Sequence, residues 1–297
     1  MNAEWIAVDW GTSQLRVWAM RGDAVQDQKQ SAKGMGRLDK SGFQPALLEL
    51  VDCWLGLDPV DVIACGMVGA RQGWVEAPYA AVPSAPVPDI PIRVPDTDPR
   101  IRAFVVPGLK QDSPPDVMRG EETQIAGFLA THPNWDGIIC LPGTHTKWAQ
   151  ISAGEVVSFR TFMTGEMFEL LRKQSVLKHS IGDGWDDDAF AEAVSDALSK
   201  PEQLAARLFG LRAADLLHAQ DASVARARLS GLLIGAELAA SRAYWLGQQI
   251  AIIGSKTLSA AYATALGAQG ASVETADATT TTLAGLAMAR NRTRQTA

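Results

Sequence analysis

Trp5-Ile6-Ala7-Val8-Asp9-Trp10-Gly11-Thr12-Ser13-Gln14-Leu15-Arg16 is an apolar run, a Gly-Thr turn and the start of a second strand-like run. A related pattern returns in mid-chain as Ile138-Ile139-Cys140-Leu141-Pro142-Gly143-Thr144-His145-Thr146-Lys147-Trp148. Each reads as strand, tight turn, strand. Such a turn aims backbone N–H groups and hydroxyls at one spot, and glycine lets a ligand come close. That chemistry suits phosphate, and two such turns would grip both ends of a polyphosphate. Asp9 ends the first strand beside its turn. A carboxylate there repels phosphate unless a cation lies between them, so Asp9 is the candidate to hold Mg²⁺ or its waters.

Composition frames this reading. The 297 residues suffice for two medium domains, and the repeated turn argues for two. A hydrophobic share of 47% supports a full core. Lys and Arg are scattered in a chain of net charge −6, which argues against a nucleic-acid surface. Cys53, Cys65 and Cys140 lie far apart with no metal-like spacing, and read as free thiols in a reducing compartment. The chain enters a strand almost at once and holds no apolar stretch of membrane-spanning length. The expectation is a soluble cytoplasmic protein without membrane or nucleic-acid partners.

Along the first half the pattern predicts strands at 5–10, 15–21 and 24–31, a helix over 43–55 and a strand at 60–65. The glycines of Lys33-Gly34-Met35-Gly36 mark a shaped turn. Gly66 to Trp74 leaves the end of a buried strand, where ligand loops are commonly built. Seven prolines between Pro78 and Pro99 exclude a helix or central strand there and predict a long ordered loop. A strand over 101–106 precedes a helix from Asp116 to about Ala130, with Pro114-Pro115 before it.

In the second half, three strands around the second turn precede a mostly helical stretch, 164–217, read as an insert. Asp186-Asp187-Asp188 reads as a helix start rather than a metal site. A long helix spans about 223–245. Strand Ile250–Ile253 then runs through Gly254-Ser255-Lys256 into a helix whose start suits phosphate or ribose contacts. A strand at 271–274 and a helix over about 280–290 close the chain. The expected domains are 1–131, for sugar and phosphate binding, and 132–297, for nucleotide binding.

The order Asp-x-Gly-Thr, Gly-Thr-x-Thr, strand-Gly-Ser-helix resembles the superfamily of sugar kinases, actin and ATP-driven chaperones. More closely, residues 6–13, Met118-Arg119-Gly120-Glu121-Glu122-Thr123-Gln124, residues 141–148 and Phe162-Met163-Thr164-Gly165-Glu166 resemble the 2-dehydro-3-deoxygalactonokinase family over essentially the whole chain. The resemblance implies an α/β fold of two ribonuclease-H-like domains, mixed five-stranded sheets flanked by helices, with an inter-domain ATP cleft. It implies phosphorylation of 2-dehydro-3-deoxy-D-galactonate at its 6-hydroxyl by ATP with Mg²⁺. Gly11, Thr12 and Ser13 match the first phosphate loop, and Gly143, Thr144 and Thr146 the second, with His145 as a phosphate or structural contact. Gly254, Ser255 and Leu258 fall at the adenosine motif. Leu141 stands where many relatives carry an aspartate, a departure shared with glycerol-kinase-type enzymes.

Relatives place the catalytic base at the start of the helix before the second hairpin. Glu121 is the first candidate here and Glu122 the second, because a sugar hydroxyl needs a positioned proton acceptor. Arg119 is placed to bind phosphate or substrate, or to pair with an acid. The implied substrate is itself an acid, so its site needs a cation. Arg71 is the leading candidate and Arg16 the second. Trp74 and Tyr79 are candidates to pack on the carbon chain, and Thr164 and Glu166 to bond its hydroxyls. Open alternatives are a kinase of another sugar acid, a polyphosphate or nucleotide phosphatase, and an ATP-dependent sensor. The helical insert is a candidate homodimer face.

Overall fold

A computed structural model describes residues 2–88 and 90–294 of the protein. The first half contains β1 (Trp5–Trp10), β2 (Leu15–Arg21), β3 (Ala24–Ser31), α1 (Phe43–Val51), β4 (Val60–Gly66), β5 (Tyr79–Ala81), β6 (Ile92–Arg93), β7 (Ile101–Val105), β8 (Gly108–Asp112), β9 (Pro115–Met118) and α2 (Glu121–Thr131). Then come β10 (Gly137–Leu141), β11 (Thr146–Ser152), β12 (Glu155–Phe162), α3 (Thr164–Gln174), α4 (Asp187–Ser199), α5 (Leu204–His218), α6 (Ala222–Ala240) and α7 (Arg242–Trp245). The chain closes with β13 (Ile250–Gly254), α8 (Lys256–Gly267), β14 (Val273–Asp277) and α9 (Ala278–Arg294).

The chain divides into two compact units. One holds residues up to Asp136, Ile151–Ser158 and the chain from Asp277 onward. The other holds Gly137–Gln150 and Phe159–Ala276. The larger sheets share one strand order, β3-β2-β1-β4-β7 and β12-β11-β10-β13-β14. Thus the duplication read from two short turns extends to whole sheets. The first sheet carries an added edge strand, β6, paired antiparallel to β7, so it has six strands rather than five.

Strand β1 explains the first unit's core. It pairs antiparallel with β2 and parallel with β4, and is covered on both faces. Its side chains alternate. Ile6, Val8 and Trp10 join Phe43, Leu47 and Val51 of α1, whereas Trp5 and Ala7 join Ala126 of α2 and Leu286 and Ala289 of α9. In the second unit Ile138, Cys140, Ile250 and Ile252 pack with residues of α4, α6 and α8.

The structure corrects the reading of 108–120. Residues 115–118 form a strand, not the first turn of a helix, and pair antiparallel with β8 in the register Leu109↔Met118 to Asp112↔Pro115. With β5 they make a small third sheet. The helix begins only at Glu121, because Gly120 at φ 111° breaks the backbone just before it. The acidic run at 186–188 does open a helix. Asp186 caps α4 by accepting the Ala189 N–H at 2.7 Å.

Candidate active site

The first turn is closed by the Gly11 N–H donating to Gln14 O at 2.9 Å. It is braced from below by the 34–36 segment. Met35 N–H donates to Gly11 O at 3.0 Å and Gly36 N–H to Thr12 O at 2.9 Å. A side chain at Gly34 would place its Cβ 2.4 Å from Thr12 O, so only glycine permits this approach. Thr12 and Ser13 are left exposed.

Asp9 and Arg16 face each other across β1 and β2, and the guanidinium bonds Asp9 Oδ2. Arg16 also lies over the Trp18 ring. The cation considered for the substrate's carboxylate is therefore the partner of the carboxylate considered for the metal. At the ends of β1 and β4 the backbone packs closely around Gly66, which is buried. Gly66 adopts φ 91°, and a Cβ there would sit 2.8 Å from Trp10 O and 3.5 Å from Asp9 Oδ1. Gly120 approaches from α2, its own imaginary Cβ 3.4 Å from Gly66 Cα.

Both glutamates fold back on the start of α2. Glu121 accepts the Arg119 N–H at 3.1 Å, and Glu122 accepts the Gly120 N–H at 2.6 Å and the Thr123 hydroxyl at 3.0 Å. Glu121 is partly exposed, whereas Glu122 is fully buried. Burial first, and then the charge of Glu121, push the Glu122 carboxyl up to about 7. Cys65, which the sequence reading treated only as a buried thiol, lies against the same group. Burial and the charges of Asp9 and Glu122 hold its thiol well above the usual range, so it stays protonated.

The loop after β4 presents Arg71 almost fully to solvent, 3.6 Å from Glu76. Trp74 instead packs edge-on against Trp10 and is half-buried. Tyr79 is covered by the guanidinium of Arg119, 4.2 Å from its ring centre. Arg119 also donates to Ala77 O at 2.8 Å and is buried, so it fastens the loop to the start of α2.

In the second unit the Gly143-Thr144-His145 turn is braced by the start of α3, as the first is by 34–36. Glu166 N–H donates to Thr144 O at 2.9 Å. A Cβ on Gly165 would fall 2.1 Å from Gly143 O. His145 Nε2 lies 2.6 Å from Glu166 Oε2, joining a residue proposed for phosphate to one proposed for sugar. Thr144 and His145 are exposed, but Thr146 is buried and its hydroxyl meets Tyr262 at 3.1 Å. Thr164 is likewise buried and donates to Glu237.

Beside this turn opens a cavity of about 360 Å³, lined by Gly143, Thr164, Gly165, Leu258, Ala261 and Tyr262 among others. Its lining is largely apolar, with small residues on α8. Gly254 sits where a Cβ would approach Pro142 at 3.1 Å, which keeps the end of β13 close to the turn. Ser255 is exposed at the start of α8.

No group of three or more His, Cys, Asp or Glu stands close enough to cage a metal among the described residues. Mg²⁺ in nucleotide sites takes one or two carboxylates and fills its remaining positions with phosphate and water. Asp9, a single carboxylate at the end of β1 beside the Gly11-Thr12 turn, fits that donor set.

Two sheets of one strand order, each carrying a braced Gly-Thr turn, define the fold class of the sugar kinases and actin. The (R)-2-hydroxyglutaryl-CoA dehydratase component A of Acidaminococcus fermentans shares this fold at TM-score 0.56 with 10% identity, covering 98% of this chain and all of that one. The chain belongs to the 2-keto-3-deoxy-galactonokinase family, whose profile matches residues 9–289. A protein of Rhizobium meliloti (strain 1021), named as a probable 2-dehydro-3-deoxygalactonokinase, is 40% identical over 294 residues and 95% of each chain. The 2-dehydro-3-deoxygalactonokinase of Escherichia coli (strain K12) is 35% identical over 277 residues and 92% of each. A solved Sinorhizobium meliloti structure, assigned to the same activity, matches at TM-score 0.89 with 39% identity, covering 97% of this chain and 98% of that one. The protein is accordingly a carbohydrate kinase that phosphorylates a 2-dehydro-3-deoxy sugar acid with ATP.

Proposed function

We propose that the protein transfers the γ-phosphoryl group of ATP to the 6-hydroxyl of 2-dehydro-3-deoxy-D-galactonate. The observation that carries this reading is the pair of braced Gly-Thr turns in a chain of this family. The second unit takes the nucleoside in the cavity beside Leu258 and Ala261, with phosphates at Gly143, Thr144 and His145. Gly254 and Ser255 border that nucleotide side. In the first unit the braced Gly11-Thr12-Ser13 turn carries the same phosphate-binding chemistry. Asp9 would hold Mg²⁺, which when bound offsets phosphate charge.

Glu121 accepts the hydroxyl proton. It is the glutamate of the pair with solvent access, and Glu122 beneath it fixes the start of α2. Arg71 receives the substrate's carboxylate, being exposed and paired to Glu76 at the long distance of 3.6 Å. Arg16 orients Asp9 instead. Glu166 orients His145, and Thr164 acts through the packing of α3 rather than by touching sugar.

No helix among the described residues is long and apolar enough to cross a membrane. The three cysteines are free, which suits a reducing compartment, and we place the enzyme in the cytoplasm. The outer face of α5 exposes Phe209, Leu216 and Leu217, an apolar stripe suited to a homodimer.

A coupled ADP-release assay across 2-keto-3-deoxy acids tests the reaction. The six-carbon galacto acid should give the highest kcat/KM. Equal turnover with another acid would move the assignment within the family. Free phosphate released at full rate without any acceptor would overturn the kinase reading.

A further inference from the structure

Glu237 lies in the middle of α6, in the apolar run Gly231-Leu232-Leu233-Ile234-Gly235-Ala236-Glu237-Leu238. It is 3% exposed, and its side-chain hydrogen-bond partners among the described residues are all neutral. A carboxylate so placed costs the fold several kcal/mol unless donors surround it. Donors do surround it. Trp148 Nε1–H donates to Oε1 at 2.8 Å, Tyr262 O–H donates to Oε2 at 2.9 Å, and the Thr164 hydroxyl also donates to Oε2. Tyr262 is in turn met by the Thr146 hydroxyl at 3.1 Å.

Each partner belongs to a different part of the candidate nucleotide site. Thr146 and Trp148 begin β11, directly after the Gly143-Thr144-His145 turn. Thr164 starts α3, whose next residues brace that turn through Gly165 and Glu166. Tyr262 is on α8 and, with Thr164, forms wall of the cavity. Glu237 is absent from the cavity lining, so it touches the site only through these side chains.

We infer that Glu237 is a positioning residue for nucleotide. One buried carboxylate ties the strand after the phosphate turn, the helix that braces the turn and the helix that walls the nucleoside cavity. The two oxygens of a carboxyl group offer acceptor sites for all these donors at once, which the single oxygen of an amide or a hydroxyl lacks. With the knot intact, turn and cavity hold a fixed spacing and ATP meets a preformed site. Without it the segments shift independently, and nucleotide binding suffers before sugar-acid binding does. This inference rests on the placement of ATP in the second unit.

The test compares Glu237→Gln, Tyr262→Phe and Leu258→Trp with the unsubstituted protein. The readouts are calorimetric Kd for an unreactive ATP analogue, KM for the sugar acid, and Tm. Glu237→Gln should weaken nucleotide about tenfold with the sugar-acid KM within about twofold. Tyr262→Phe, which keeps the ring and removes one donor, should move Kd in the same direction by about threefold. It carries the test if Glu237→Gln does not fold. Leu258→Trp, which fills the cavity, should abolish nucleotide binding. If Leu258→Trp binds nucleotide normally, the placement of ATP is wrong. If Leu258→Trp fails to bind while Glu237→Gln and Tyr262→Phe only lower Tm, Glu237 is a stabilising residue and the inference falls.

Discussion

The backbone N–H of Gly120 donates to Glu122 Oε2 at 2.6 Å, which folds a fully buried carboxylate back onto the start of its own helix. This contact separates the roles of two neighbouring acids. Glu121, also bound to backbone, is partly exposed, and the proposed role of proton acceptor falls to it on that ground.

Glu121→Gln should therefore cut kcat by about 100-fold or more while the Kd for nucleotide stays near that of the parent. Glu122→Gln should cost far less turnover, since an amide oxygen still accepts from Gly120. Steady-state kinetics with calorimetry decides. Full activity in Glu121→Gln and none in Glu122→Gln would exchange the two roles.

Stability should fall as pH rises from about 5 to 8. Burial raises the carboxyls of Glu122 and Glu237, each to about 7 from an ordinary 4.5. Between those values the folded protein binds more protons than the unfolded chain, so unfolding free energy declines with pH. Each group contributes on the order of 3 kcal/mol over the window, fully present below 4.5 and lost through 7. The opposite slope comes from Glu4 and Asp98, whose carboxyls are held low and whose contribution disappears only on acidification below that window. Thermal melts at several pH values should show the decline, and Glu122→Gln should flatten it. A Tm that rises steadily from pH 5 to 8 would contradict the burial of both acids.

Much of the fold was legible because each Gly-Thr turn sits between runs whose apolar character is obvious. Trp5–Trp10 and Ile138–Leu141 are buried along nearly their whole length, and such strands read as continuous apolar runs. The hairpin β8–β9 was not legible. Pro114-Pro115 announces a helix start as readily as a turn, and only the pairing with 109–112 decides. The site divided in the same way. Gly34 and Gly36 were marked as shaped, and they brace the first turn. Glu237 was missed because a single acid in a long helix looks like a solvated face. The signal was there in its apolar neighbours on every side of the helix. For Arg16 the sequence leaves open a substrate contact or a pair with a sheet neighbour, because the strand register that sets Asp9 opposite it depends on the turn length.

Gly165 and Gly143 make a paired test of the second turn. A Cβ at 165 would press into Gly143 O at 2.1 Å, but at 143 nothing lies within 4 Å. Gly165→Ala should destabilise the protein by about 1–3 kcal/mol through overpacking and distort the turn, lowering both Tm and nucleotide affinity. Gly143→Ala should leave Tm nearly unchanged and weaken nucleotide alone, because its methyl occupies ligand space. Equal affinity in Gly143→Ala and the parent would remove Gly143 from the phosphate site.

The pair Asp9–Arg16 yields a prediction about metal. The guanidinium takes Asp9 Oδ2, while Oδ1 lies on the side of Gly66, 3.5 Å from where a Cβ there would sit. Asp9→Asn should raise the Mg²⁺ concentration needed for half-maximal activity about tenfold or more, since a neutral amide is a poor ligand for a hard cation. Arg16→Met removes the charge that competes for Asp9 yet also frees its rotamer. The expected result is a smaller change in Mg²⁺ dependence with the sugar-acid KM unmoved, since the proposed partner of the substrate's carboxylate is Arg71. Arg71→Met should do the reverse, raising the sugar-acid KM about tenfold and leaving Mg²⁺ dependence alone. Titrations of activity against Mg²⁺ and against sugar acid in the three variants separate these roles. A raised sugar-acid KM in Arg16→Met, with Arg71→Met unaffected, would hand the carboxylate to Arg16 and leave Asp9 without a partner during turnover.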